Sequence, residues 1–244
     1  MTIPFRTRTK SYRAYFLSTV ILGLALLGLC YYRVIGGGLD SRWMILAALA
    51  VMVGAFTLKI PGLNSKIAVA DIFILLNLIF FGPAVGCLTA ALEAFAGSLR
   101  SKTVARRLEF TLFNMGNAAI CTYAAGQLFF LALGSGPLAQ NPAATMGGIL
   151  PAGALLAAVY YLLNSGTVAL MVALESRTNV FRIWRRHYMP YSVHYVVSVL
   201  AAALVAINGE LITPLNLLTV GMTAAALYCF YRVVHTRIAA RQHV

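Results

Sequence analysis

The chain has 244 residues, 61% hydrophobic and 10% charged, with a mean hydropathy of +0.83, which is more apolar surface than one soluble core buries. Its 19 Lys and Arg face only six acids, for a net charge of +13. The bases sit in short stretches between apolar runs, so they predict topology and contact with anionic lipid rather than nucleic acid, for which no binding motif is present.

Eight apolar runs follow in chain order: 14–32, 43–58, 67–81, 83–98, 108–133, 147–174, 189–207 and 213–231. Several approach the roughly 20 residues that cross a bilayer as a helix. The alternating ten-residue segments of a membrane β-barrel are absent. The expected fold is therefore all-α: a polytopic bundle of about eight membrane segments, forming a single integral membrane domain over 1–244. The first run follows basic residues as a signal peptide would. It is long and lacks a small-x-small cleavage site, so it reads as a retained span.

Charge tests this drawing. With the N-terminus in the cytoplasm, the cytoplasmic segments hold the bases from Arg6 to Arg13, Lys59 and Lys66, Arg100 to Arg107, Arg177 to Arg186, and Arg232 to Arg241. Only Arg33 and Arg42 stay outside. The positive-inside rule thus places both termini in the cytoplasm. Segments 3 and 4 are short and meet at Gly82-Pro83, which breaks the helix. They predict a helical hairpin over 67–98 inside the bundle, either spanning or re-entrant. "LKIPGLNSK" reads as a cytoplasmic turn and 134–146 as an uncharged external loop. Beyond the last span, 232–244 is a basic helical extension into the cytoplasm that ends without a capping signal, which predicts a downstream domain or a partner helix.

Polar residues inside apolar runs are the candidate site. In the fourth run Val85, Leu88, Leu92, Phe95 and Leu99 form a bulky face, and Gly86, Thr89, Ala90, Glu93 and Gly97 form a small one. Glu93 is thereby turned toward another helix, where an intramembrane acid is costly and commonly functional. Asp71 and Asn77 lie on the third run. Asn114 and Asn117 share a face of the fifth, Tyr160, Asn164 and Thr167 a face of the sixth, and Tyr191, His194 and Ser198 a face of the seventh. The expected ligand-binding set is Glu93, Asn77, Asn114, Asn117, Asn164, Tyr191, His194 and Asp71. Singly, the asparagines read equally as interhelical hydrogen bonds, Asp71 as a partner of Lys66 or Arg100, and His194 as a hydrogen-bonded interior residue. No hydrolase, phosphate-binding or metal motif is present, so neither an enzyme, a cofactor nor a metal is expected. The four cysteines lack a C-x-x-C spacing and read as quiet buried thiols.

The order and spacing of "LKIPGLNSKIAVADIFILLNLIFFGP", "LFNMGNAAI", "YYLLNSGTVALMVALES" and "FRIWRRHYM" resemble the N-terminal membrane input domain of bacterial HD-GYP and GGDEF signalling proteins. That resemblance implies a sensory domain in the bacterial inner membrane that binds a small molecule and relays a signal through its last helix to a cytoplasmic domain or a second copy. No catalytic domain lies within these residues. More locally, "FFGPAVGCLTAALEAFAG" is similar to a hairpin of S components of energy-coupling-factor transporters, which implies a solute pocket beside it and gives transport as the alternative function.

Overall fold

The computed structural model describes residues 8–38, 41–54, 70–99, 107–140, 146–189 and 192–207, with the backbone of 58–59 and 66–67. The described residues are almost wholly helical. In chain order they form α1 (Lys10–Gly36), α2 (Arg42–Val53), a two-residue antiparallel ladder of β1 (Leu58–Lys59) with β2 (Lys66–Ile67), α3 (Asp71–Phe81), α4 (Pro83–Leu99), α5 (Arg107–Leu133), α6 (Met146–Ser176), α7 (Val180–Ile183) and α8 (Ser192–Ile207). α7 runs on into a π-helical turn, Trp184–Tyr188. The eighth apolar run, the basic extension 232–244 and Tyr191 lie outside the described residues.

Three of these helices, α1, α5 and α6, are long and apolar enough to cross a membrane. Their bounds differ from the hydropathy reading by a few residues at most. The second and third segments depart from it. α2 stops at Val53, and α3 starts only at Asp71. The chain between them, expected as helix ends around a turn, instead carries the β1–β2 ladder. Apolar runs this short do not distinguish a helix from a strand by period alone. The seventh run is α8, which begins at Ser192 against the expected 189 and extends through Ile207. Before it the chain adds a short helix that the sequence reading left as a cytoplasmic segment: Asn179 caps α7 by accepting the Arg182 N–H at 3.1 Å.

α3 and α4 form the expected hairpin. Gly82 turns between them at φ 98°, a left-handed conformation that glycine adopts without strain, and Pro83 opens α4 where its missing N–H costs nothing. The two helices then touch closely: a Cβ on Gly86 would sit 2.7 Å from Leu78 Cβ. The chain after α5 folds back over the end of α3. Leu138 and Ala139 donate their N–H groups to the carbonyls of Ile79 and Phe80 at 3.2 and 3.0 Å. These bonds satisfy carbonyls that a helix end otherwise leaves orphaned.

α3 is the centre of the core. Every side chain from Ile72 to Phe81 is buried, packed by α2, α4 and α8. α1 lies against α5 through a second aromatic cluster of Tyr12, Phe16 and Phe113. On α4 the bulky face turns outward only in its second half: Leu92, Phe95 and Leu99 are exposed by 46%, 41% and 48%, whereas Val85 is fully buried and Leu88 packs on the core, as do Gly86, Thr89 and Ala90 on the small face.

At one end of the bundle a charge cluster ties three helices. Arg8, just before α1, is buried, with its guanidinium 3.1 Å from Glu109 on α5 and 3.8 Å from Glu175 on α6. It also hydrogen-bonds Tyr12 and stacks over that ring. The sequence reading had treated Arg8 only as a topology signal.

α1 and α5 cross at Gly23 and Gly116, whose backbones leave no room for a side chain; a Cβ on Gly116 would lie 2.8 Å from the Thr19 carbonyl oxygen. Gly116→Val therefore overpacks the crossing and is expected to destabilise the fold by about 1–3 kcal/mol. Gly28→Val, on the same α1 but facing open space, is expected to change stability little. Thermal unfolding of the two variants in detergent checks the contrast.

Candidate functional site

α3 is the element that creates the site. Its 11 residues extend only about 16 Å at 1.5 Å per residue, less than half the length of α5 or α6. One end is fixed by the Leu138 and Ala139 bonds, so its first residue, Asp71, comes level with the middle of its long neighbours. Tyr160, at the centre of α6, donates its hydroxyl to Asp71 Oδ1 at 3.4 Å. A carboxylate in the first turn complements the helix dipole, so the start of α3 is a favourable place for it.

The other oxygen of Asp71 meets α8. His194 Nε2 lies 2.9 Å from Asp71 Oδ2, with the His194 side chain 4% exposed and that of Asp71 18%. If the imidazole Nε2 carries the proton, it donates to the carboxylate and Nδ1 is left as an acceptor. Nδ1 is buried and has no protein partner. Ser198, one turn further along the same face of α8, is fully buried and its Oγ is likewise unpartnered. On α5, the buried Thr122 hydroxyl beside Tyr160 has no hydrogen bond of good geometry. Two polar atoms on one face of α8, His194 Nδ1 and Ser198 Oγ, are thus short of a partner, in an interior where such groups are costly to leave bare.

A second chain of contacts adjoins the first. Asn117 on α5 donates Nδ2–H to Asn164 Oδ1 at 2.9 Å, and Asn164 donates to the Tyr195 hydroxyl at 2.9 Å. The Cys121 thiol donates to Asn117 Oδ1 at 3.5 Å. The Tyr195 ring packs edge-on against both Tyr160 and His194, joining the two chains. Asp71, His194, Asn117 and Asn164 therefore lie in one interior cluster made by α3, α5, α6 and α8.

The other expected residues lie elsewhere. Asn77 is fully buried on a different face of α3. Its Nδ2 donates to the Trp43 carbonyl at 3.1 Å and to Thr89 Oγ1 at 2.8 Å, while its Oδ1 lacks a partner. Asn114 is exposed and bonds Ser98 at 3.3 Å. Glu93 is half-buried and leans on the C-terminal end of α2. A Cβ on Gly54 would come 2.5 Å from Glu93 Oε1, so the carboxylate rests on a bare α-carbon. It faces α2, whereas Asp71 faces α6 and α8.

Tyr195 entered no expectation. It neighbours His194 in sequence, and a single buried face would have turned it away; α8 instead packs on both α3 and α6, which buries two faces. Thr122 carried no signal beyond being a hydroxyl in an apolar run. Among the described residues no group of three or more His, Cys, Asp or Glu side chains is gathered as a metal site. Comparison with protein families, curated proteins and solved structures finds no match to this chain.

The Asp71–His194 contact predicts an asymmetry. His194→Leu strands a carboxylate in the interior and is expected to cost about 3 kcal/mol or more, as breaking a buried pair from one side does. Asp71→Asn removes the charge and leaves His194 without its carboxylate partner but with no buried charge unmet, so its cost is expected near about 1 kcal/mol, that of one hydrogen bond. Denaturation of the two single variants and the double variant measures the coupling; equal costs for the two singles, with no coupling, would contradict the geometry.

Proposed function

We propose that this chain is a membrane-embedded sensory domain that binds a small polar molecule at the Asp71–His194–Tyr160 cluster, with Asn117, Asn164 and Tyr195 as its second wall. The observation that carries the reading is the partly buried Asp71 carboxylate held between His194 and Tyr160, with His194 Nδ1 and, one turn further along α8, Ser198 Oγ buried without a hydrogen-bond partner. A solute carrying both donors and acceptors satisfies them in a way that apolar packing does not. In the same reading the domain has about eight membrane segments in the bacterial inner membrane, both termini cytoplasmic, and the run 213–231 carries the response to a cytoplasmic signalling domain or a second copy. Such a response requires the solute to bind two arrangements of the helices with different affinity. α8 is the element through which that difference would act, because it holds His194 and leads directly into the last run.

Transport is the second reading, and one observation favours it. α3 is short and starts at Asp71, level with the middle of α6, as the discontinuous helices of transporters do.

Mass spectrometry of the purified protein is expected to find a retained polar solute, and adding that solute is expected to raise the unfolding temperature. Asp71→Asn and His194→Gln are expected to abolish the shift, while Asn114→Ala keeps it in full. A shift that survives both interior substitutions in folded protein would remove the site. Glu93→Gln separates the two halves of the bundle: loss of the shift in this variant alone would move the site to the α2–α4 side. Uptake of the solute into proteoliposomes would favour transport, and binding without uptake would favour sensing.

A further inference from the structure

A groove on the outer side of the bundle, between α6 and α8, is separate from the interior cluster. Its floor is built from small and buried residues, Gly153, Ala157, Val199 and Ala203, and it encloses about 220 Å³. Its rims are apolar and exposed: Leu150 by 45%, Val196 by 48% and Leu200 by 48%. From Leu150 to Tyr161 the groove follows α6 for about 16 Å at 1.5 Å per residue. Hydroxyl groups enter only at one end, where Tyr161 and Ser192 line it.

That end abuts the π-helical turn. The turn is fastened to α6 by Trp184 Nε1, which donates to Ser165 Oγ at 2.8 Å, and by the Tyr161 hydroxyl, which donates to the Tyr188 carbonyl at 3.5 Å. The same short segment exposes Arg182, Arg185 and Arg186, which line a shallow concavity with Asn179 and Phe181. No acid occurs anywhere from Arg177 to Ile207. Glu175, just before, is within ion-pair distance of Arg8 at 3.8 Å. The positive charge of the turn is therefore unmatched within its own stretch of chain, beside the polar end of an apolar channel.

We infer that the groove and the arginine turn together form a binding site for an anionic phospholipid, with one acyl chain along Gly153, Ala157 and Val199 and the phosphate on the Arg182–Arg186 turn. The two parts match the two parts of one amphiphile. A narrow apolar channel floored by Gly and Ala admits a linear hydrocarbon chain and excludes a bulkier side. Guanidinium groups bind phosphate oxygens through paired N–H donors, and their long stems let the charge reach the headgroup level while the turn stays fastened to α6. Under the proposed topology the turn faces the cytoplasmic leaflet, where anionic lipid is concentrated. The fastening of the turn through Tyr161 and Trp184 sets the distance between headgroup and tail sites.

The test uses the full chain in detergent, titrated with phosphatidylglycerol and phosphatidylcholine of identical acyl chains and followed by native mass spectrometry. The wild type is expected to prefer phosphatidylglycerol by about tenfold or more, since each basic residue near an anionic headgroup contributes appreciably. The triple variant Arg182→Gln, Arg185→Gln, Arg186→Gln is expected to lose that preference but still take up both lipids. Filling the exposed rim with Ala154→Phe and Ala158→Phe is expected to weaken both lipids and keep the charge preference in what remains. An unchanged thermal midpoint establishes that each variant is folded. Undiminished preference in the triple variant would overturn the headgroup assignment. Wild-type binding in the rim variant would overturn the tail assignment and leave surface electrostatics alone. A photoreactive group at Ala154 that cross-links to residues 213–231 of the chain, and not to lipid, would overturn the proposal as a whole.

Discussion

The contact between Asp71 and His194 fixes how the interior is assembled. α3 is too short to run the length of its neighbours, and its far end is held by the backbone of Leu138 and Ala139. Its near end must then stop in mid-bundle, where an exposed set of helical N–H groups would be unfavourable without a negative partner. Asp71 supplies that charge, and the charge in turn needs a donor. His194 meets the requirement from α8 and Tyr160 from α6. One short helix thus ties α6 and α8 together at Asp71, through the Tyr160 hydroxyl and the His194 imidazole.

Much of this architecture was legible in the amino-acid sequence, and the reasons divide cleanly. α1, α5 and α6 announce themselves because a long apolar run has only one satisfied backbone conformation in hydrocarbon. The α3–α4 hairpin is legible because Gly82-Pro83 is a backbone instruction independent of context. The β1–β2 ladder was not, since "LKIPGLNSK" is as compatible with an exposed turn as with paired strands. The short helix α7 was hidden by arginines, which suggest a loop by charge although they are sound helix formers.

The site was legible by helix face and illegible by neighbour. Spacing puts Asn114 and Asn117 on one side of α5, yet Asn117 is 4% exposed and joins Asn164, whereas Asn114 is exposed and bonds Ser98. Three residues along a helix differ by about 60° in direction, enough to fall on opposite sides of a packing seam. The same limit applies to Asp71. Sequence spacing placed it near the start of a span, in reach of Lys66 or Arg100, because nothing in the sequence says that the helix starts in mid-bundle. Glu93 was correctly assigned to the small-residue face of α4, but which helix covers that face, α2 with its bare Gly54, follows only from the fold.

The acids seen in hydrogen-bonded or ionic contact fall into two kinds, and the difference bears on what each can do. Glu109 and Glu175 lie within ion-pair distance of Arg8. That cluster holds α1, α5 and α6 together through a guanidinium whose several donors serve both acids. Asp71 instead meets an imidazole and a phenol hydroxyl, each of which can offer it one hydrogen bond. The bundle therefore has an ion-paired clamp at one end and a hydrogen-bonded carboxylate in its interior. It is beside the second that His194 Nδ1 and Ser198 Oγ lie buried without partners. A buried polar atom without a partner costs stability that a methyl group in its place would not, and that cost is what the proposed polar solute would offset.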